Sequence, residues 1–167
     1  MVDALKYYCG RALLVCFSLL VLNSNAYAGD SHAGYYYPTP QTSEVYVSAL
    51  NVLPTVNKRS RVGFMVGLNR QQIDRAYAPR YHIFAKGFHA DKMIVVATGS
   101  GQYDTIYRLR ALLAALTSQA RTSPIFEQTR QPENLNFFDL ARLAGFSQIT
   151  VSDGDKFAHR INLVSAN

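Results

Sequence analysis

Residues 81–121, YHIFAKGFHADKMIVVATGSGQYDTIYRLRALLAALTSQAR, decide the fold. Tyr81–Lys86 and Lys92–Thr98 read as two strands joined through Gly87-Phe88-His89-Ala90-Asp91, a loop of hairpin length. Met93-Ile94-Val95-Val96-Ala97 is apolar on both faces, which marks a central strand covered at least in part on both sides. The period then changes. Within Asp104–Arg121, Ile106, Leu109, Leu113 and Leu116 recur at steps of three and four and Leu112 widens the stripe, as in an amphipathic helix. Asp104 is placed to serve as its N-cap or first-turn acid, and Pro124 marks the break after it.

Downstream, Asn136–Ala144 reads as a second helix. Asn136 caps it, Asp139 stands three residues on in a variant capping box, and Gly145 stops it with Phe146 packing back. Ser147–Ser152 and Lys156–Val164 are final strands around the hairpin dipeptide Asp153-Gly154. On the last strand, Asp155, Phe157, His159 and Ile161 share one face, and Lys156, Ala158, Arg160 and Asn162 the other.

Upstream, Val62, Phe64, Val66 and Leu68 alternate with Arg61, Gly63, Met65 and Gly67, the period of a strand whose glycine face leaves a flat groove. A short helix is expected at Gln71–Tyr77, and residues 44–53 form another strand ending at Pro54. The expected order is β-β-β-β-α-α-β-β. Runs of strands and helices segregate, so residues 44–164 are expected to form one α+β domain, a largely antiparallel sheet of about six strands with two helices.

Residues 29–43 form an extended lead-in, since Pro38 and Pro40 exclude helix. Tyr35, Tyr36 and Tyr37 are expected to pack over the glycine face of residues 61–67, the alternative being an exposed recognition tail. Residues 1–28 read as a signal peptide. Lys6 and Arg11 precede and open the apolar run Ala12–Leu22, and the Ala26-Tyr27-Ala28 triplet suits a signal peptidase. The run rises only about 16 Å as a helix, half a bilayer core, so cleavage after Ala28 and a periplasmic or secreted chain are expected rather than an anchor. Cys9 and Cys16 both lie in this segment, so the mature chain has no disulfide.

The composition, 49% hydrophobic and 17% charged with 10 Gly and 6 Pro in 167 residues, excludes collagen, coiled coil and wholesale disorder. The net charge of +6 is concentrated: residues 54–92 hold eight basic side chains against two acidic ones. Lys58, Arg59, Arg61, Arg70, Arg75 and Arg80 make a candidate binding surface for an anionic envelope protein, a cell-wall polymer or a membrane surface. No nucleic acid is expected as partner.

Constellations for chemistry are incomplete. Gly99, Ser100 and Gly101 link a strand to a helix that carries Arg108, a candidate anion loop. Asp104 occupies the place of the third glycine in a dinucleotide fingerprint, and the P-loop lysine is absent. Ser100 lacks the flanking glycines of a nucleophile elbow, having Thr98 and Gln102 there. His32, His82, His89 and His159 lack metal-site spacing. Asp153-Gly154-Asp155 resembles the start of a calcium loop, but Phe157 offers no oxygen at the fifth position. No metal, cofactor or catalytic residue is assigned. The enzyme alternative rests on a site assembled in three dimensions around His159, Ser100 and Asp155.

Tyr35-Tyr36-Tyr37-Pro38, Phe84-Ala85-Lys86-Gly87, Thr105-Ile106-Tyr107-Arg108, Arg110-Ala111-Leu112-Leu113, Gly145-Phe146, Ser152-Asp153-Gly154-Asp155 and Phe157-Ala158-His159 together resemble a family of small exported bacterial proteins. The resemblance covers most of the mature chain and implies export without a particular reaction. Members of that family sometimes carry the label molybdopterin-guanine dinucleotide biosynthesis protein A. Nucleotidyltransferases of that name open on a Leu-Ala-Gly-Gly-x-Ser-x-Arg-Met-Gly loop, which has no counterpart here. The expectation is an exported, non-enzymatic binding or interaction module.

Overall fold

The computed structural model describes residues 37–74, 76–99, 102–127 and 134–166. The signal segment, Tyr35, Tyr36, Arg75, Ser100 and Gly101 lie outside the described residues. Along the chain run β1 (Thr42–Ser48), α1 (Lys58–Ile73), β2 (Tyr81–Lys86), β3 (Lys92–Ala97), α2 (Ile106–Arg121), α3 (Pro124–Glu127), α4 (Phe137–Leu143), β4 (Gln148–Ser152) and β5 (Ala158–Ser165). The fold is α+β, with a five-stranded mixed sheet in the order β1-β5-β4-β3-β2. The β1/β5 and β3/β4 pairs are parallel, and β4/β5 and β2/β3 are antiparallel. This corrects the expected element order and the largely antiparallel sheet.

The main correction is α1, a sixteen-residue helix where a strand was expected at residues 61–68 and a short helix at 71–77. Its start is local chemistry: Asn57 Oδ1 accepts from Ser60 N at 3.0 Å, and Ser60 Oγ accepts from Asn57 N at 2.8 Å. Phe64, Met65, Leu68 and Gln72 then form the buried face, at the spacing of a helix. Val62 and Val66, which gave the alternation its strand-like look, are exposed.

Elsewhere local signals hold. Asn136 and Asp139 form the capping box of α4, Thr105 rather than Asp104 caps α2, and Leu109, Leu112, Leu113 and Leu116 are buried. Pro124 opens the extra single-turn helix α3.

The four helices among the described residues cover one face of the sheet. Met93, Val95, Ile149, Val151, Ile161 and Leu163 point into them and join Phe64, Leu116, Phe137, Leu140 and Phe146 in one apolar core. Each fully buried side chain of this size stabilises by about 1.5–3 kcal/mol. On the opposite face Tyr37 packs against Ile94 and Ala158, with Val96 beside them. The tyrosine does not lie over Gly63 and Gly67, whose missing Cβ positions have no atom within 4 Å. A helix puts those glycines a turn apart at the surface, so they form no flat face for an aromatic ring.

The two sheet edges differ. At β2, the Asn69 side chain donates to Ile83 O at 2.7 Å and accepts from Ile83 N at 2.9 Å. Its amide stands in for a neighbouring strand. At β1 only the β5 side is paired among the described residues.

Candidate functional site

Two surfaces outside the core bring functional side chains together, one along α1 and one beside β1. The exposed side of α1 carries Arg59, Val62, Gly63, Val66, Arg70 and Ile73, with Lys58 at its start. The helix holds no acidic residue. Ile73 is 69% exposed, and two exposed aromatics flank the helix: Tyr77 beyond its end at 85%, and Phe88 in the β2–β3 loop at 84%. Lys58 Nζ sits 5.3 Å from the centre of the Phe88 ring. A hollow of about 340 Å³ lies between Ser60, Gly63 and Phe64 of α1 and Ser123, Pro124 and Ile125.

The expected basic residues divide. Lys58, Arg59, Arg70 and Arg80 are exposed and have no carboxylate partner among the described residues. Arg61 is engaged by a backbone carbonyl. It donates from Nε at 3.1 Å and from a terminal nitrogen at 2.8 Å to His89 O, tying the β2–β3 loop to α1.

Of the candidate anion loop, Gly99 and Arg108 are described, and Ser100 and Gly101 lie outside the described residues. Gly99 has φ +128°, and Arg108 is paired with Asp104 at 2.9 Å. His159 and Asp155 are differently placed. His159 is 2% exposed on the helix-covered face, whereas Asp155 is exposed in the turn before β5 and lies 4.0 Å from Lys156 Nζ.

Beside β1 is a groove of about 440 Å³, walled by Glu44, Val45 and Tyr46, by Arg110, Leu113, Ala114 and Thr117 of α2, and by Asn136–Phe138. Arg110 donates to Glu44 Oε2, and His159 Nδ1 lies 2.8 Å from Thr42 Oγ1. His159 Nε2 stands 3.4 Å from Glu44 Oε1, an ion-pair distance whose geometry makes no hydrogen bond. Burial works against the Glu44 charge, but Arg110 and then His159 outweigh it and hold the carboxyl below the usual range.

At the other end, Tyr46 Oη donates to Asp139 Oδ1 at 3.1 Å and accepts from Asn136 Nδ2 at 2.7 Å; Ser48 Oγ donates to the same Asp139 oxygen at 2.8 Å. Burial, reinforced by Asp139 and opposed by the Asn136 hydrogen bond, pushes the Tyr46 hydroxyl up, so it stays a proton donor at neutral pH. Sequence reasoning missed this groove because its walls come from three segments far apart in the chain.

Asp91 is also held below the ordinary carboxylate range, first by the Ser147 hydroxyl at 2.7 Å, against the opposing effect of burial. A carboxylate whose folded pKa is depressed contributes stability above its unfolded pKa and loses it as pH falls through the folded value. With ordinary values of 4.5 for Glu44 and 3.8 for Asp91, the melting temperature is expected to hold from pH 7 to 5 and fall below about 4.5. Arg110→Gln should flatten the Glu44 part of that acid limb, measured by thermal denaturation at stepped pH.

No protein-family model, curated protein or solved structure matches the chain. Among the described residues no group of three or more metal-ligating side chains converges, and no helix is long and apolar enough to cross a membrane.

Proposed function

We propose that this protein is an exported, non-enzymatic docking module that attaches through α1 to an anionic lipid surface of the envelope. The observation that carries the reading is the solvent face of α1, which sets Lys58, Arg59 and Arg70 beside exposed Val62, Val66 and Ile73 with no acid in the helix. Cations and apolar side chains on one helix face match a bilayer interface, where the first meet lipid headgroups and the second leave water. A purely polar polymer would satisfy the cations and leave the valines and Ile73 with no gain. Phe88 and Tyr77 extend the same combination past both ends of the helix, since aromatic rings settle at headgroup depth.

Each cation near such a surface contributes about 1 kcal/mol at physiological salt. Replacing Lys58, Arg59 and Arg70 together by Gln is therefore expected to weaken binding to phosphatidylglycerol-containing vesicles about a hundredfold. Sedimentation with the vesicles measures this, and raising salt from 0.1 to 1 M should reproduce it, as the screening length falls from about 10 to about 3 Å. Ile73→Ser, which removes the apolar side chain and leaves the charge alone, should weaken vesicle binding without changing binding to a soluble polyanion. Equal binding to neutral vesicles, or a silent triple variant, would overturn the proposal. Loss of a measured activity on His159→Ala in a folded protein would favour the enzyme reading instead.

A further inference from the structure

At the opposite sheet edge from α1, the geometry points to β1 and its groove as a binding site for an extended segment of another polypeptide, added to the sheet as a sixth strand. This site is independent of the α1 surface.

A strand edge carries a row of unpaired N–H and C=O groups, and natural proteins normally blunt it. The β2 edge is blunted by the Asn69 amide on Ile83. Among the described residues, seven-residue β1 has no such guard: it contains no lysine, proline or glycine, and its single charge, Glu44, is engaged by Arg110. Glu44, Val45 and Tyr46 are consecutive, and their side chains alternate between the two sheet faces, yet all three wall the groove. The wall is therefore the outer edge of the strand, where a second backbone would bond.

The side-chain surroundings specify the occupant further. Glu44 and Arg110 cancel each other, and the Tyr46 hydroxyl is engaged by Asn136 and Asp139. With its charges internally paired, the groove suits an uncharged side chain against Leu113, Ala114 and Phe138. On the other sheet face Val45 and Val47 are 63% and 59% exposed beside Val164. A strand laid along β1 would place alternate side chains in the groove and beside these valines. The partner is thus an extended chain with apolar residues at every second position, held chiefly by its own backbone.

The test uses the purified protein, produced from the full chain, and a displayed library of random linear nonapeptides. Selected peptides are expected to alternate apolar residues. N-methylation at every second peptide bond should weaken them at least tenfold, and the intervening positions should tolerate it. Bound peptide should slow amide exchange in residues 42–48. Ala114→Arg, which fills the groove from an exposed helix position, should weaken binding at least tenfold with an unchanged melting curve. Val47→Lys provides a second block at the edge. The inference is overturned if no peptide binds tighter than about 100 µM, or if binding ignores both N-methylation and both substitutions. A dimer of the free protein that shields the β1 amides would also overturn it, assigning the edge to a second copy.

Discussion

Replacing Gly145 by valine is expected to destabilise the protein by about 3–5 kcal/mol, from left-handed backbone strain and overpacking combined. Gly145 follows α4 at φ +80°, a conformation that costs an L side chain strain. Space adds to the cost. A Cβ built there meets Val56 Cγ1 at 2.7 Å, Arg61 at 3.0 Å and Val52 Cγ1 at 3.2 Å. The loop before α1 lies directly on the end of α4, and Leu53 N donates to Leu143 O at 3.0 Å across the same junction. A fall in melting temperature of roughly 10 °C or more follows for a domain of this size. Gly145→Ala should already show the larger part of the loss, because alanine brings the Cβ that meets these atoms and the same left-handed strain, and valine adds only the branch. A melting curve unchanged by valine would mean that this junction can open at no cost.

Asp139→Ala is expected to cost about 2–4 kcal/mol, the sum of a lost helix cap and of hydroxyls left without acceptors. Asp139 closes the capping box by accepting from Asn136 N, and its other oxygen accepts from Tyr46 and Ser48 of β1. Ser48 is 1% exposed, so water offers its hydroxyl little replacement. One carboxylate thus fixes the start of α4 and docks that helix against the edge strand. In a double-mutant cycle with Ser48→Ala, the two losses should fall short of additivity by at least about 0.5 kcal/mol. Full additivity would show that the Ser48 hydrogen bond contributes nothing and leave the effect to the cap and Tyr46. Urea denaturation measures both.

The parts legible in the sequence were those written in neighbouring residues. Strands β2 and β3 follow from their apolar runs and hairpin-length loop, and α2 from its leucine spacing. The Asn136–Asp139 box and the Gly145 stop mark α4 because caps are interactions within one helical turn. Helix α1 reads as a strand in the sequence for a physical reason. Both its faces carry apolar residues, so the alternation of Val62, Phe64, Val66 and Leu68 coexists with the helical set Phe64, Met65 and Leu68. The Asn57–Ser60 box, a weaker signal, decides between them. Sheet order was not legible, because backbone pairing across distant strands leaves no trace in local periodicity. The basic residues around α1 were identified from charge alone. That Arg61 serves the β2–β3 loop depends on where His89 O lies in space.

Strand β1 opens the described fold, yet among the described residues its sheet partner is the last strand, and Thr42 meets His159 across 117 residues of chain. The first strand therefore cannot find its place until the final strand has been made. Such distant pairing carries a large loop-closure cost and slows folding. For the export route proposed above this delay is useful. A chain threaded through a membrane from its N-terminus stays open until β5 emerges, and the sheet completes on the far side.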